Sequence, residues 1–319
     1  MNKVALSIIV PFYNEENNLE NLHPQIISVL RQINMLSEVI YVDDGSTDKS
    51  LNKLKSAIAK YKSEKIKIHL IILGRHLGQT PAITVGIDQS NGKNIVFLDA
   101  DLQNDPNDIP KLMKKLNEGF DAVFGWRKER SDDFLRNFLS LTANFIIRIL
   151  FKIPLHDLGC SIKVVKKEFL LNFKLYSEYH RVLPALIYWN GAKVTEMEVN
   201  HRSRTSGRSK YGYQRISKLI IDLITIKFLS AYQTKPSYVF GSLGILAELS
   251  GMLVLFIVAY KKIFLGVFVH RDPLFLIAIF LIIVGIQFIL MGLIAELIVR
   301  IYFESYKKTI YEKPKIIIY

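Results

Sequence analysis

Two apolar runs late in the chain, residues 239–260 and 274–299, set the hardest limit on what it can fold into. Each holds about 20 residues or more, enough to cross a bilayer as a helix. A connection of about a dozen residues, 261–273, makes them an antiparallel hairpin with both flanks on one side. Lys227 and Lys235 precede it, and Arg300, Lys307, Lys308, Lys313 and Lys315 follow it. Only Lys261, Lys262 and Arg271 lie in the connection. The bias of basic residues toward the cytoplasmic side places the large N-terminal part in the cytoplasm. Residues 216–232 mix Lys218 and Lys227 with Leu219, Ile220, Leu223, Ile224 and Phe228, the pattern of a helix lying in the membrane interface.

This reading also bears on the charge. The 42 Lys and Arg against 29 Asp and Glu leave +13, which suits nucleic acid or an anionic membrane. Membrane-flanking lysines account for part of it, so no nucleic-acid partner is expected. One cysteine, Cys160, excludes an intrachain disulfide and fits a reducing compartment. No cleavable signal peptide is expected: the first apolar run is too short and leads into acids.

The rest of the chain alternates. Apolar runs at 6–11, 38–42, 66–73 and 95–98 read as buried strands, and amphipathic helices follow them. Strands alternating with helices predict a parallel sheet with helices on both faces. Each strand ends in a polar loop, and those loops share one edge of the sheet, where ligands of α/β proteins collect. The loops are Phe12-Tyr13-Asn14-Glu15-Glu16, Asp43-Asp44-Gly45-Ser46-Thr47-Asp48, Gly74-Arg75-His76-Leu77-Gly78 and Asp99-Ala100-Asp101-Leu102-Gln103. Asn17 or Asn18 can cap the first helix, and Asp48 reads as a cap of the second. A helix at about 109–118, a strand at 120–124, a helix at 134–151 and a strand at 161–165 follow. The first loops lack Gly-x-Gly-x-x-Gly, and no Walker-type phosphate loop is present, which counts against a dinucleotide fold and a P-loop NTPase.

Asp99 and Asp101 leave a buried strand one residue apart. Such a pair can hold a hard divalent ion, Mg²⁺ or Mn²⁺, completed by substrate phosphates. Alternatively, Asp99 caps the strand and Asp101 starts a turn. Residues 201–213 carry Arg202, Arg204, Arg208 and Lys210 among Gly and Ser. They read as a solvated loop or as a mobile clamp for phosphates, since arginine forks suit phosphate oxygens.

Together these motifs resemble family-2 glycosyltransferases of the GT-A fold, and more narrowly the polyprenyl-phosphate glycosyltransferases. The residues carrying the likeness are Val10-Pro11-Phe12-Tyr13-Asn14-Glu15, Asp43-Asp44-Gly45-Ser46-Thr47-Asp48, Asp99 to Gln103, Gly125-Trp126-Arg127, and the Arg204, Gly207, Ser209, Lys210, Tyr211 run. His76 stands where that pattern has asparagine, and Gln79 where lysine is frequent. The resemblance implies a GT-A (Rossmann-like), mostly parallel α/β sheet at 1–212 and an interfacial region at 213–236. A transmembrane hairpin at 237–300 and a cytoplasmic tail at 301–319 complete it. It implies that Pro11, Tyr13, Glu15, Asp44 and Arg75 bind the nucleotide part of a nucleotide sugar. Asp99 and Asp101 would hold the metal, with Gln103 beside it. Arg127 would face a donor or acceptor phosphate. Arg202, Arg204, Ser209, Lys210 and Tyr211 would grip the acceptor.

The implied reaction is inverting, metal-dependent transfer of a hexose, UDP-glucose being the first choice, to undecaprenyl phosphate at the inner, cytoplasmic membrane of a bacterium. GDP-mannose or a UDP-aminopentose is the alternative donor. Asp157 either orients the acceptor or is a turn residue before Gly159. His156 and His201 either bind phosphate or are structural. A processive polysaccharide synthase is disfavoured because neither Trp126 nor Trp189 sits in a Gln-x-x-Arg-Trp motif. A non-catalytic, membrane-bound nucleotide-sugar binding module is the reading from a different class. Gly241, Gly244, Glu248 and Gly251 line one face of the first apolar helix. That stripe packs either within the hairpin or between protomers of a homo-oligomer.

Overall fold

The computed structural model describes residues 4–61, 65–128, 153–170, 183–202, 237–304 and 315–318. The expected helices at 134–151 and 216–232 and the basic residues from 203 onward in the 201–213 stretch lie outside them. The chain divides into two compact units: Met1–Ser217 with Thr309–Tyr319, and Lys218–Lys308.

In the first unit the alternation folds as written. Leu6–Phe12 (β1), Ser37–Asp43 (β2), Ile66–Ile72 (β3) and Asn94–Phe97 (β4) are linked by Leu19–Ile33 (α1), Ser50–Lys60 (α2) and Gln79–Gln89 (α3). Neighbours among these strands pair in parallel, in the order β4-β1-β2-β3. Every residue of β1 and β2 is buried, as a central parallel strand covered on both faces requires. Leu6, Ile8, Val10 and Phe12 pack with α1, α2 and Ile109–Asn117 (α4) in one core. Ile9 points the other way, into α3, where Gly86 leaves room for its side chain. Each such buried aliphatic side chain stabilises the fold by about 1.5–3 kcal/mol before entropy is counted.

Beyond β4 the sheet turns mixed. Ala122–Trp126 (β5), Lys163–Lys166 (β6) and Val194–Glu198 (β7) extend it, with Leu183–Trp189 (α5) before β7. β6 is antiparallel to both β4 and β5, while β7 is parallel to β5. Lys315–Ile318 (β8), after both apolar helices, returns to pair antiparallel with His69–Ile72 on the far edge. The full order among the described residues is β7-β5-β6-β4-β1-β2-β3-β8. The chain thus leaves this sheet and comes back to it after both apolar helices.

Asn18 does occupy the N-cap position of α1, but its side chain makes no cap bond. It donates instead to Glu15 Oε2 at 2.5 Å. Asp48 accepts the Ser50 N–H at 2.9 Å and so serves the start of α2.

The second unit is a pair of helices, Ser237–Leu265 (α6) and Pro273–Glu304 (α7). Both are long and apolar enough to cross a membrane. The first runs past the expected end at residue 260, so Lys261 and Lys262 are helical rather than in the loop. Nothing breaks the helix until Gly266, whose φ of 66° supplies the left-handed stop. Lys261 then reaches Asp272 at 3.1 Å. The stripe on α6 faces α7. A Cβ on Gly244 would lie 2.7 Å from the Gly285 carbonyl oxygen, and one on Gly251 3.0 Å from that of Ala278. Glu248 Cγ packs over Gly285, at 2.6 Å from where a Cβ would stand. Gly241 has no such neighbour.

Candidate active site

The carboxyl ends of β1 to β4 bring four loops together. The loop after β1 is laced to the loop after β2. Asn14 N–H donates to Ser46 Oγ at 3.0 Å, Glu15 N–H to Ser50 Oγ at 2.7 Å, and Thr47 N–H to Asn14 Oδ1 at 2.9 Å. Gly45, at φ 74°, lets the loop after β3 cross closely: a Cβ there would lie 2.6 Å from the Arg75 carbonyl carbon. That is the physical need behind Asp-Asp-Gly-Ser.

Asp44 is the hub of this crossing. Its carboxylate is buried and accepts the N–H groups of Leu77 and Gly78, each at 2.8 Å. His76 Nδ1 lies 2.7 Å from Asp44 Oδ2, and its ring stacks on Tyr13 with centroids 3.9 Å apart. Burial pushes the Asp44 carboxyl up, while these partners pull it back. Pro11 is buried, Tyr13 and Glu15 are half-buried, and Arg75 is exposed on the same rim.

Asp99 and Asp101 leave the end of β4 as anticipated. Gln79 Nε2 donates to Asp99 Oδ1 at 2.8 Å, from the position where the family pattern often has lysine. Ser161 also donates to Asp99. Burial, followed by repulsion from Asp101, raises the Asp99 carboxyl to about 6. Leu102 takes a left-handed backbone, φ 62°, which costs energy for a branched residue and turns the Gln103 N–H onto Asp101 Oδ1 at 3.2 Å. Two all-oxygen donors that repel each other fit a hard divalent ion. Among the described residues no set of three or more such ligands converges, so phosphate oxygens would complete the shell.

Arg127, from the end of β5, and Asp157, from the loop before β6, form one unit. Nε to Oδ2 is 2.7 Å and the second arm, Nη2 to Oδ1, is 2.9 Å. Asp157 also accepts the backbone N–H groups of Arg127 and Gly159. With both oxygens engaged by a guanidinium, it positions Arg127 and is poorly disposed to take a proton. His156, next to it, is held by Glu196 and stacks on Trp126.

Arg202 is rooted beside the carboxylates: its N–H donates to Gln103 O at 2.8 Å, and His201 bridges to Asn104. Its guanidinium meets Asp105 and Gln25 rather than the site. Arg204, Ser209, Lys210 and Tyr211 lie outside the described residues.

Lys163 is the residue the sequence reading missed. It is 5% exposed on β6, with its ammonium 5.9 Å from the Phe97 ring centroid. Burial lowers its basicity, and Asp99 and Asp157 raise it. The available signal was a lysine interrupting the apolar run Ile162, Val164, Val165.

The likeness to known proteins follows this geometry. Glycosyl transferase family 2 matches residues 7–173. A dodecaprenyl-phosphate galacturonate synthase of Rhizobium johnstonii is 35% identical over 306 residues, 95% of this chain and 90% of that protein. An undecaprenyl-phosphate 4-deoxy-4-formamido-L-arabinose transferase of Pectobacterium carotovorum is 33% identical, covering 93% of this chain and 89% of its own. Among solved structures, glucosyl-3-phosphoglycerate synthase from Mycobacterium tuberculosis, in complex with Mn²⁺, UDP and glucosyl-3-phosphoglycerate, matches with a TM-score of 0.56. At 17% identity, over 70% of this chain and 79% of that one, the likeness is one of fold.

Proposed function

The chain belongs to glycosyl transferase family 2, and from that premise we propose that it moves a sugar from a nucleotide sugar to a polyprenyl phosphate at a membrane surface. The observation that carries this is the Asp99–Asp101 pair at the sheet's ligand edge, in a chain that also holds two membrane-length helices. The relatives are named for galacturonate and formamido-arabinose. We therefore read the donor as a UDP-linked uronate or amino-sugar ahead of UDP-glucose. The setting is a bacterial cytoplasmic membrane, crossed twice, with the sheet on the cytoplasmic side. The domain limits given above, 1–212, 213–236, 237–300 and 301–319, are part of the proposal. A purely binding role is set aside, since family membership makes the chain a transferase.

In this reading Asp99 and Asp101 hold Mg²⁺ or Mn²⁺, which when bound neutralises the diphosphate and improves the leaving group. Gln79 and Ser161 hold Asp99 in place, and Gln103 stands beside the pair. Tyr13, Glu15, Pro11, Asp44 and Arg75 receive the nucleoside. Arg127, fixed by Asp157, faces a phosphate of the donor or acceptor. The acceptor phosphate is already ionised at neutral pH, so no strong base is needed, and direct attack on the anomeric carbon inverts it.

The test is to incubate the full chain in detergent with undecaprenyl phosphate, Mn²⁺ and a panel of UDP-sugars, and to identify the product lipid by mass spectrometry. A glycosyl phospholipid from one donor is expected. Sugar found only in water, or on another acceptor, would overturn the reading.

A further inference from the structure

The loop after β3 places His76 in the slot that the proposed function assigns to the nucleobase. Its imidazole lies against Tyr13 at 3.9 Å and 20° between planes, as a stacked base would. Its Nδ1 meets Asp44 Oδ2 at 2.7 Å, the kind of contact an N–H on a base edge makes with a carboxylate. We propose that His76 is a resident occupant of the base slot, which an incoming nucleotide must displace.

Two features make displacement local. The Asp44 carboxylate is also held by the backbone N–H groups of Leu77 and Gly78, so the loop stays seated when the side chain leaves. The His76 side chain is 53% exposed, so its outward rotation meets open solvent rather than packed core. His76 thereby acts on specificity. A ligand gains the slot only if it offers both a planar ring for Tyr13 and a donor for Asp44. A ligand without a base never competes with the imidazole.

The inference rests on the nucleotide-sugar reading, and the experiment separates the two. Titrate UDP with Mn²⁺, and separately inorganic diphosphate with Mn²⁺, into the full-length protein in detergent by calorimetry. Compare wild type with His76→Ala and His76→Asn, after thermal melting has shown that each variant folds. Removing a stacked, hydrogen-bonded competitor should tighten UDP by about 5-fold in His76→Ala and leave diphosphate unchanged. His76→Asn, which keeps a polar group but loses the ring, should fall between. Unchanged or weaker UDP binding in both variants would overturn the proposal, and so would an equal gain for diphosphate. If UDP binds to none of the three proteins, the nucleotide-sugar reading falls and takes this inference with it.

Discussion

In the sheet-bearing unit, Ile8, Val39 and Leu70 are buried, and Asp44, Asp99 and Asp101 follow the carboxyl ends of their strands. In the helix pair, Phe256 and Leu276 are 73% and 70% exposed, while Gly244 and Gly251 are buried and Glu248 packs over Gly285. One chain therefore obeys two opposite sorting rules. Water drives apolar groups inward in the first unit. Lipid offers no such drive in the second, where close backbone approach and a sheltered polar group set the packing instead. The same residue type, a carboxylate, stands in a pair at the sheet edge of one unit and packs against a helix backbone in the other.

The comparison is broken most directly at its chemical end. Asp99→Asn or Asp101→Asn should lower transfer by at least about 100-fold, since each removes a charge from the site where charge must be stabilised. Turnover near wild type in both would place the metal, and the contrast, elsewhere. Next in size is Asp157→Ala. It strands Arg127 beside a buried cavity and should destabilise the protein by about 3–5 kcal/mol, read as a lower denaturant midpoint. Asp157→Asn should be milder, because it keeps acceptors for part of the fork.

A smaller effect comes from pH. The Asp99 carboxyl stands near 6 in the folded protein, above its ordinary value, so the folded state binds the extra proton between about pH 4 and 6. Stability from this group is therefore present at low pH and is lost as pH rises through 6. Asp99→Asn should be more stable than wild type at pH 7.5 without metal, by about 3 kcal/mol at most, and the gap should close toward pH 4. A gap that is constant with pH would refute that origin. Smallest of all is the helix-pair test. Glu248→Leu combined with Gly244→Leu should disturb the hairpin yet leave the particle mass by light scattering unchanged, because the stripe's Gly244, Glu248 and Gly251 already pack against the second helix of the same chain. A changed mass would show that it also serves contacts between copies.

How far the sequence could be read follows the same division. β1 to β4 were legible because each apolar run stops at a polar loop, and the GT-A resemblance holds in the mixed sheet found. β7 was not, since Val194, Thr195, Glu196, Met197 and Glu198 form a half-exposed edge with no apolar run. The reversed direction of β6 was also hidden, because strand polarity is decided by non-local pairing. Asp99, Asp101 and Arg127 could each be picked out by motif, while Asp157 stood out only as an acid before Gly159. That Arg127 and Asp157, 30 positions apart, grip one another could not. Lys163 was masked because a lysine in a short strand ordinarily marks a solvent face.

β8 has a consequence in time rather than in space. Its four residues are translated after both apolar helices, yet they cover the edge of β3. Until the ribosome has passed residue 315, the row of backbone groups along β3 waits without its last neighbour. An open edge is where nascent chains pair wrongly with one another. Completion of the sheet is thus scheduled behind synthesis of the helix pair, and the final strand closes the sheet only once both apolar helices exist.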